Sequence, residues 1–122
     1  MTRSWLGSHP HPEMPRLIIG IDASNSVFLR TLDRVRDLQR RREIIQTLRS
    51  LFLLDLDAPP AKLHLHQLTS KSGESRLNAK QRVPIWTVHV TADDAYKASF
   101  TFESGTAYFR AIKHHDALDK EP

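Results

Sequence analysis

Cysteine is absent from the 122 residues. That excludes disulfides and thiolate chemistry, and it fits a reducing compartment. No apolar run approaches the roughly 20 residues that a bilayer-spanning helix needs. The first 16 residues hold no apolar stretch of the kind that a secretory signal carries. Neither glycine nor proline occurs between Val27 and Leu56, so no breaker divides that stretch. Internal repeats and low-complexity segments are missing too. The expectation is one cytoplasmic domain with no membrane association.

The balance of charge is what stands out. With 18 Lys and Arg against 14 Asp and Glu, the net charge is +4. A basic small domain points to an acidic partner, either nucleic acid or an acidic protein. The same balance also occurs in small domains that have no such partner.

Residues 1–15 read as a flexible tail, because Pro10, Pro12 and Pro15 interrupt regular structure. His9 and His11 are expected to be solvated there. Residues 16–122 read as a single domain. Leu17, Ile18, Ile19 and Ile21 mark a short first strand. Ser24, Asn25 and Ser26 offer N-caps for a helical stretch over residues 27–56. Phe28, Leu32, Val35 and Leu38 recur at helical spacing, and so do Ile44, Ile45, Leu48, Leu51 and Phe52. Between the two sets lie Arg40, Arg41 and Arg42. That run fits a turn between two antiparallel helices or the middle of one long helix, and compactness favours the hairpin. Pro59 and Pro60 stop the segment.

Alternation returns in residues 62–68, with Leu63 and Leu65 toward a core and His64 and His66 opposite. Residues 69–83 read as a mobile basic loop carrying Lys71, Arg76, Lys80 and Arg82. Trp86, Val88 and Val90 then share one face, with His89 on the other. Tyr96, Ala98, Phe100 and Phe102 oppose Lys97, Ser99, Thr101 and Glu103. Ser104 and Gly105 form a tight hairpin turn. In the last strand Tyr108, Arg110 and Ile112 alternate with Ala107, Phe109 and Ala111. A short tail with His114 and His115 follows.

The predicted architecture is a two-layer α+β domain. An N-terminal strand and a helical hairpin pack on a mainly antiparallel sheet of four to five strands, with the first strand beside the last ones. One sheet face is apolar. The other is expected to be open and polar, presenting His89 and Lys97 on adjacent strands.

This order, with Trp86-Thr87-Val88-His89-Val90, Tyr96-Lys97-Ala98-Ser99-Phe100 and the ending Ile112-Lys113-His114-His115-Asp116, resembles the RelE/ParE toxin superfamily. The similarity spans about residues 17–120 and is closest to the HigB- and RelE-like branch. It implies a type II toxin–antitoxin toxin, in most such members a ribosome-dependent mRNA endoribonuclease. In others it implies a DNA gyrase poison, or a non-catalytic binding module of the same fold. The implied reaction is metal-independent and needs no cofactor. The implied partners are a cognate antitoxin, the ribosome and mRNA.

By position in the motifs, His115 matches the family's C-terminal acid/base histidine, and Lys97 matches an arginine that holds the scissile phosphate. His89 stands where another arginine is common. Lysine is a flexible point charge, and histidine is mostly neutral at pH 7, so both substitutions change how phosphate would be held. Attack by a 2′-hydroxyl needs a base, an acid and cations around the charged phosphorus centre. On this reading His115 transfers a proton, and Lys97 and Arg110 stabilise the phosphate. His89, Arg82, Lys80, His64 and His66 line the RNA path. Without a carboxylate or cysteine at supporting spacing, His64, His66 and His89 are not expected to hold a metal.

Overall fold

The computed structural model describes residues 16–122. The expected tail over residues 1–15, with His9 and His11, lies outside the described residues. The described chain is α+β, in the order β1 (Gly20–Asp22), α1 (Ser26–Asp33), α2 (Leu38–Ser50), β2 (His66–Glu74), β3 (Arg82–His89), β4 (Tyr96–Glu103), β5 (Thr106–His114) and α3 (His115–Lys120). Its five strands form one sheet in the order β1-β5-β4-β3-β2. Strand β1 runs parallel to β5, and the other neighbours are antiparallel. The first strand thus joins the last, as expected. No helix among the described residues is long and apolar enough to cross a membrane.

Helices α1 and α2 each start where a side chain can satisfy free amides. Asn25 Oδ1 accepts from the Val27 and Phe28 amides at 2.7 and 3.2 Å. Asp37 does the same for Gln39 and Arg40 at 2.8 and 3.2 Å. The helical pair is therefore real, but its break falls over residues 34–37, before the arginine run. Arg40, Arg41 and Arg42 lie inside α2. Arg41 explains how the joint closes without glycine or proline. Its guanidinium donates to the Leu32 and Val35 carbonyls at 2.9 and 3.2 Å, satisfying the end of α1.

Phe28 from α1, Ile44 and Leu48 from α2, and Leu51 just beyond it cover the apolar sheet face. Trp86, Val88, Ala98, Phe100, Ala107, Phe109 and Ile112 supply that face. Phe100 and Phe109 sit at the centre, their rings 5.1 Å apart. Past the end of β1, the Ile112 amide donates to Thr31 Oγ1 at 2.9 Å, so α1 completes the strand edge.

Strict alternation fails in β5. Phe109 pairs with Phe100 and Ala111 with Ser99, which leaves Arg110 as an extra residue in a bulge. The bulge lets Ala107, Phe109 and Ile112 all face the core. The turn into β5 follows expectation: Ser104 and Gly105 both have positive φ, 51° and 85°, which suits the right-handed twist of a two-residue hairpin.

Two further expectations are corrected. Residues 61–63 form a 3-10 turn rather than strand, although Leu63 and Leu65 are buried as expected. The basic loop is shorter than residues 69–83, because β2 continues to Glu74 and β3 begins at Arg82. The intervening turn is cross-braced. Ser75 Oγ accepts from the Leu77 and Asn78 amides at 3.1 and 3.0 Å and donates to Glu103.

Candidate anion-binding cleft

The second sheet face is polar but not open. Lys97, Ser99, Thr101 and Glu103 are all buried. At the Lys97 and Ser99 end the tail folds back as α3 against β4 and β5, and at the other end the turn after β2 closes on Glu103 through Ser75 and Arg76. Leu118 of that helix is fully buried, and with Ile85 and Ala111 it lies outside the main apolar cluster. Asp119, the next residue, accepts from Lys97 Nζ at 3.0 and 3.2 Å. Register places Lys97 opposite Lys113 on β5, so two like charges face each other across strands. The Asp119 carboxylate relieves that repulsion.

Beside α3 an open cleft of about 650 Å³ is lined by Ser70, Lys71, Ser72, Arg82, Ile85, Arg110, Lys113, Lys120, Glu121 and Pro122. Five of those side chains are cationic and one is acidic. Arg82 is held in place from β2, its Nη2 donating to the Ser72 carbonyl at 2.5 Å. Lys113 Nζ donates to the Glu121 carbonyl at 3.1 Å. Arg110, bulged from β5, lies across the β2 backbone. A Cβ on Gly73 would meet its Nη1 at 2.7 Å, so that strand position must be glycine for the guanidinium to lie there.

Among the described residues, no carboxylate lies within ion-pair distance of Arg82 or Arg110. Burial pushes the Arg110 guanidinium below its ordinary value, and the Arg82 and Arg76 charges push the same way. Arginine stays protonated regardless. Arg110 Nε donates to the Pro122 oxygen at 3.4 Å, the Glu74 charge acts on it in the opposite sense to its arginine neighbours, and Lys113 lies 3.9 Å from the Glu121 carboxylate. Positive charge in the cleft is thus only partly offset, which is the electrostatic character of an anion site.

The structure divides the residues singled out from sequence. Arg82 and Arg110 share the cleft. Lys97 lies opposite both Lys113 and His89 in the register, but its ammonium is already paired. His115 opens α3 half-exposed. Its amide donates to the Ala95 carbonyl at 2.9 Å, and its Nδ1 is 3.0 Å from Asp116. It is not among the residues lining the cleft. Lys80 is exposed in the turn after β2, its amide on Asn78. His64 stacks on His89, with ring centroids 4.6 Å apart. His66 directs Nδ1 to the His64 carbonyl at 3.1 Å, so the two do not act as a strand pair.

Lys113, Lys120 and Asp119 were not singled out from sequence. The adjacent apolar pair Ala111-Ile112 was the available sign of a bulge, since strict alternation cannot bury both. Nothing local marks Asp119 as the partner of Lys97.

Fold and cleft together define a small α+β protein with a cation-lined cleft. Compared with protein-family models, with curated proteins and with solved structures, the chain shows no match.

Proposed function

We propose that the cleft binds the phosphate backbone of RNA, and that the chain is a RelE/ParE-type toxin that cuts mRNA on the ribosome and is silenced by a cognate antitoxin. The observation that carries the reading is the cleft itself, four cations around the half-buried Arg110 guanidinium. Arg110 is the phosphate anchor, with Arg82 and Lys113 flanking it. The polar row from His89 through Lys97 to Lys113 supports the edge of the site. In the cutting step the 2′-oxygen attacks phosphorus and the bond to the 5′-oxygen breaks. A 2′,3′-cyclic phosphate forms, and His115 transfers the proton. Lys97 serves by fixing α3 through Asp119, which positions His115 at the start of that helix.

A second reading rests on one observation: no imidazole lines the cleft among the described residues. On that reading the chain binds RNA without cutting it. Induced expression separates the two. The toxin reading expects growth arrest with fragmented mRNA, both abolished in His115→Ala. RNA binding by the purified protein, with intact mRNA in cells, selects the second reading. Absence of RNA binding, together with normal growth and intact mRNA, would sink both.

Gly73→Ala offers a quieter check. Its methyl meets only the far end of a flexible side chain. The fold should therefore persist while Arg110 is displaced. The expected result is an unchanged circular dichroism spectrum and a log–log salt slope of RNA binding shallower by about 0.7, one phosphate contact fewer.

A further inference from the structure

We infer that His64, His89 and Asp94 form a binding site for a borderline divalent cation of the zinc class. Sequence spacing supplied no carboxylate for these histidines, but the fold does. His89 ends β3, Asp94 lies in the turn before β4, and His64 arrives from the 3-10 turn before β2. One ligand atom from each residue falls within 4.8 Å of the other two.

His89 Nδ1 and Asp94 Oδ1 are already 2.9 Å apart. Zinc at about 2.0–2.1 Å from nitrogen and oxygen sets tetrahedral ligands about 3.3 Å from one another. Closing the set needs the His64 nitrogen to move inward from within 4.8 Å of the other two and the His89–Asp94 pair to open by a few tenths of an ångström. Two imidazoles and one carboxylate suit zinc, and solvent would complete the sphere at this exposed edge.

The backbone is arranged for the cluster. His64 and Asp94 both occupy the left-handed region, at φ 46° and 57°, two of the four non-glycine residues that do so among the described residues. Such positions concentrate at functional sites. The turn that carries Asp94 is fixed from outside the cluster. The Asp94 amide donates to the Thr91 carbonyl at 3.1 Å. Asp93 accepts from Thr91 Oγ1 at 2.7 Å and from the Ala95 amide at 3.1 Å. Arg40 of α2 holds Asp93 at 2.6 Å. Lys62 and Glu43 line the depression beside His89 and Asp94, so the neighbouring charges offset each other in sign. A bound ion would tie the crossover into β2 to the β3–β4 turn.

His114, His115 and Asp116 make a second cluster, but they are consecutive in sequence and serve as the control. The test titrates zinc chloride into the full chain by calorimetry, with cobalt(II) absorption as a report of coordination. One saturable site is expected. Its affinity should fall at least about tenfold in His64→Ala, in His89→Ala and in Asp94→Asn. It should stay unchanged when His114 and His115, or His9 and His11, become alanine. A zinc-dependent rise in melting temperature should disappear in the same three variants. Unaltered affinity in the His64→Ala/His89→Ala double variant, or no saturable binding, would overturn the inference. These readouts use the purified chain and metal alone, so neither outcome depends on RNA binding.

Discussion

Glu103→Ala should lower the unfolding free energy by about 3 kcal/mol, since it strands three donors at once. The carboxylate accepts from Ser75 Oγ, from the Arg76 amide at 2.9 Å and from Thr101 Oγ1 at 3.1 Å. Ser75 and Thr101 are themselves buried, so water cannot replace the lost acceptor cheaply. Glu103→Gln keeps the shape and one acceptor oxygen, and should cost about half as much. Denaturant unfolding gives both values. Amide exchange should show the turn over residues 75–81 opening first.

The same carboxylate gives a dependence on pH. Burial pushes Glu103 up, but donation from Ser75, Arg76 and Thr101 outweighs it and holds the group below its ordinary value of 4.5. A carboxyl that titrates lower in the folded chain binds fewer protons there than in the unfolded chain. Its contribution is therefore complete above about pH 4.5 and is lost as pH falls through the folded value. In Glu103→Gln the acid limb of the stability profile should be flatter. An unchanged acid limb would assign the loss to other carboxylates.

The second large effect concerns the cleft. Simultaneous Arg82→Ala, Arg110→Ala and Lys113→Ala should weaken single-stranded RNA binding about a hundredfold near 0.15 M salt. If all five cations reach phosphates, the log–log slope of affinity against salt is about −3.5, and in the triple variant about −1.4. Fluorescence anisotropy over a salt series reads both numbers. None of the three residues belongs to the apolar core cluster, so the circular dichroism spectrum should be retained. A triple variant that binds RNA as tightly as the parent would move the binding surface elsewhere.

How much of this was legible before any coordinates depended on the range of the interaction. The order of strands and helices followed from periods of two and 3.6 residues, each a local property of the backbone. The core followed too: Phe28, Ile44, Leu48, Val88, Phe100 and Phe109 are all buried. The hairpin glycine at residue 105 was legible because only the local backbone decides it. The joint between the helices was misplaced because Asp37 and Arg41 close it with side-chain hydrogen bonds, and no breaker residue marks it.

The site was less legible. Lys97 reads as an exposed cation on a polar strand face, and so it would be if the tail stayed in solvent. Asp119 and Leu118, about twenty residues later, bury it. Arg110 reads as one more outward residue of an alternating strand. The bulge and the missing Cβ of Gly73 are what lay its guanidinium across β2. His64, His66 and His89 read as a possible strand trio. The left-handed backbone at His64 sets His66 aside, and the turn after β3 brings in Asp94.

Sequence by itself determined the α+β class, the apolar layer and the basic balance of this protein. These rest on residue spacing and composition, which need no knowledge of distant partners. Tertiary structure alone decided which cations face one another, which carboxylate neutralises which, and where the open cleft lies. Those are matters of a few ångströms between segments far apart in the chain, and electrostatic energy is set by that separation.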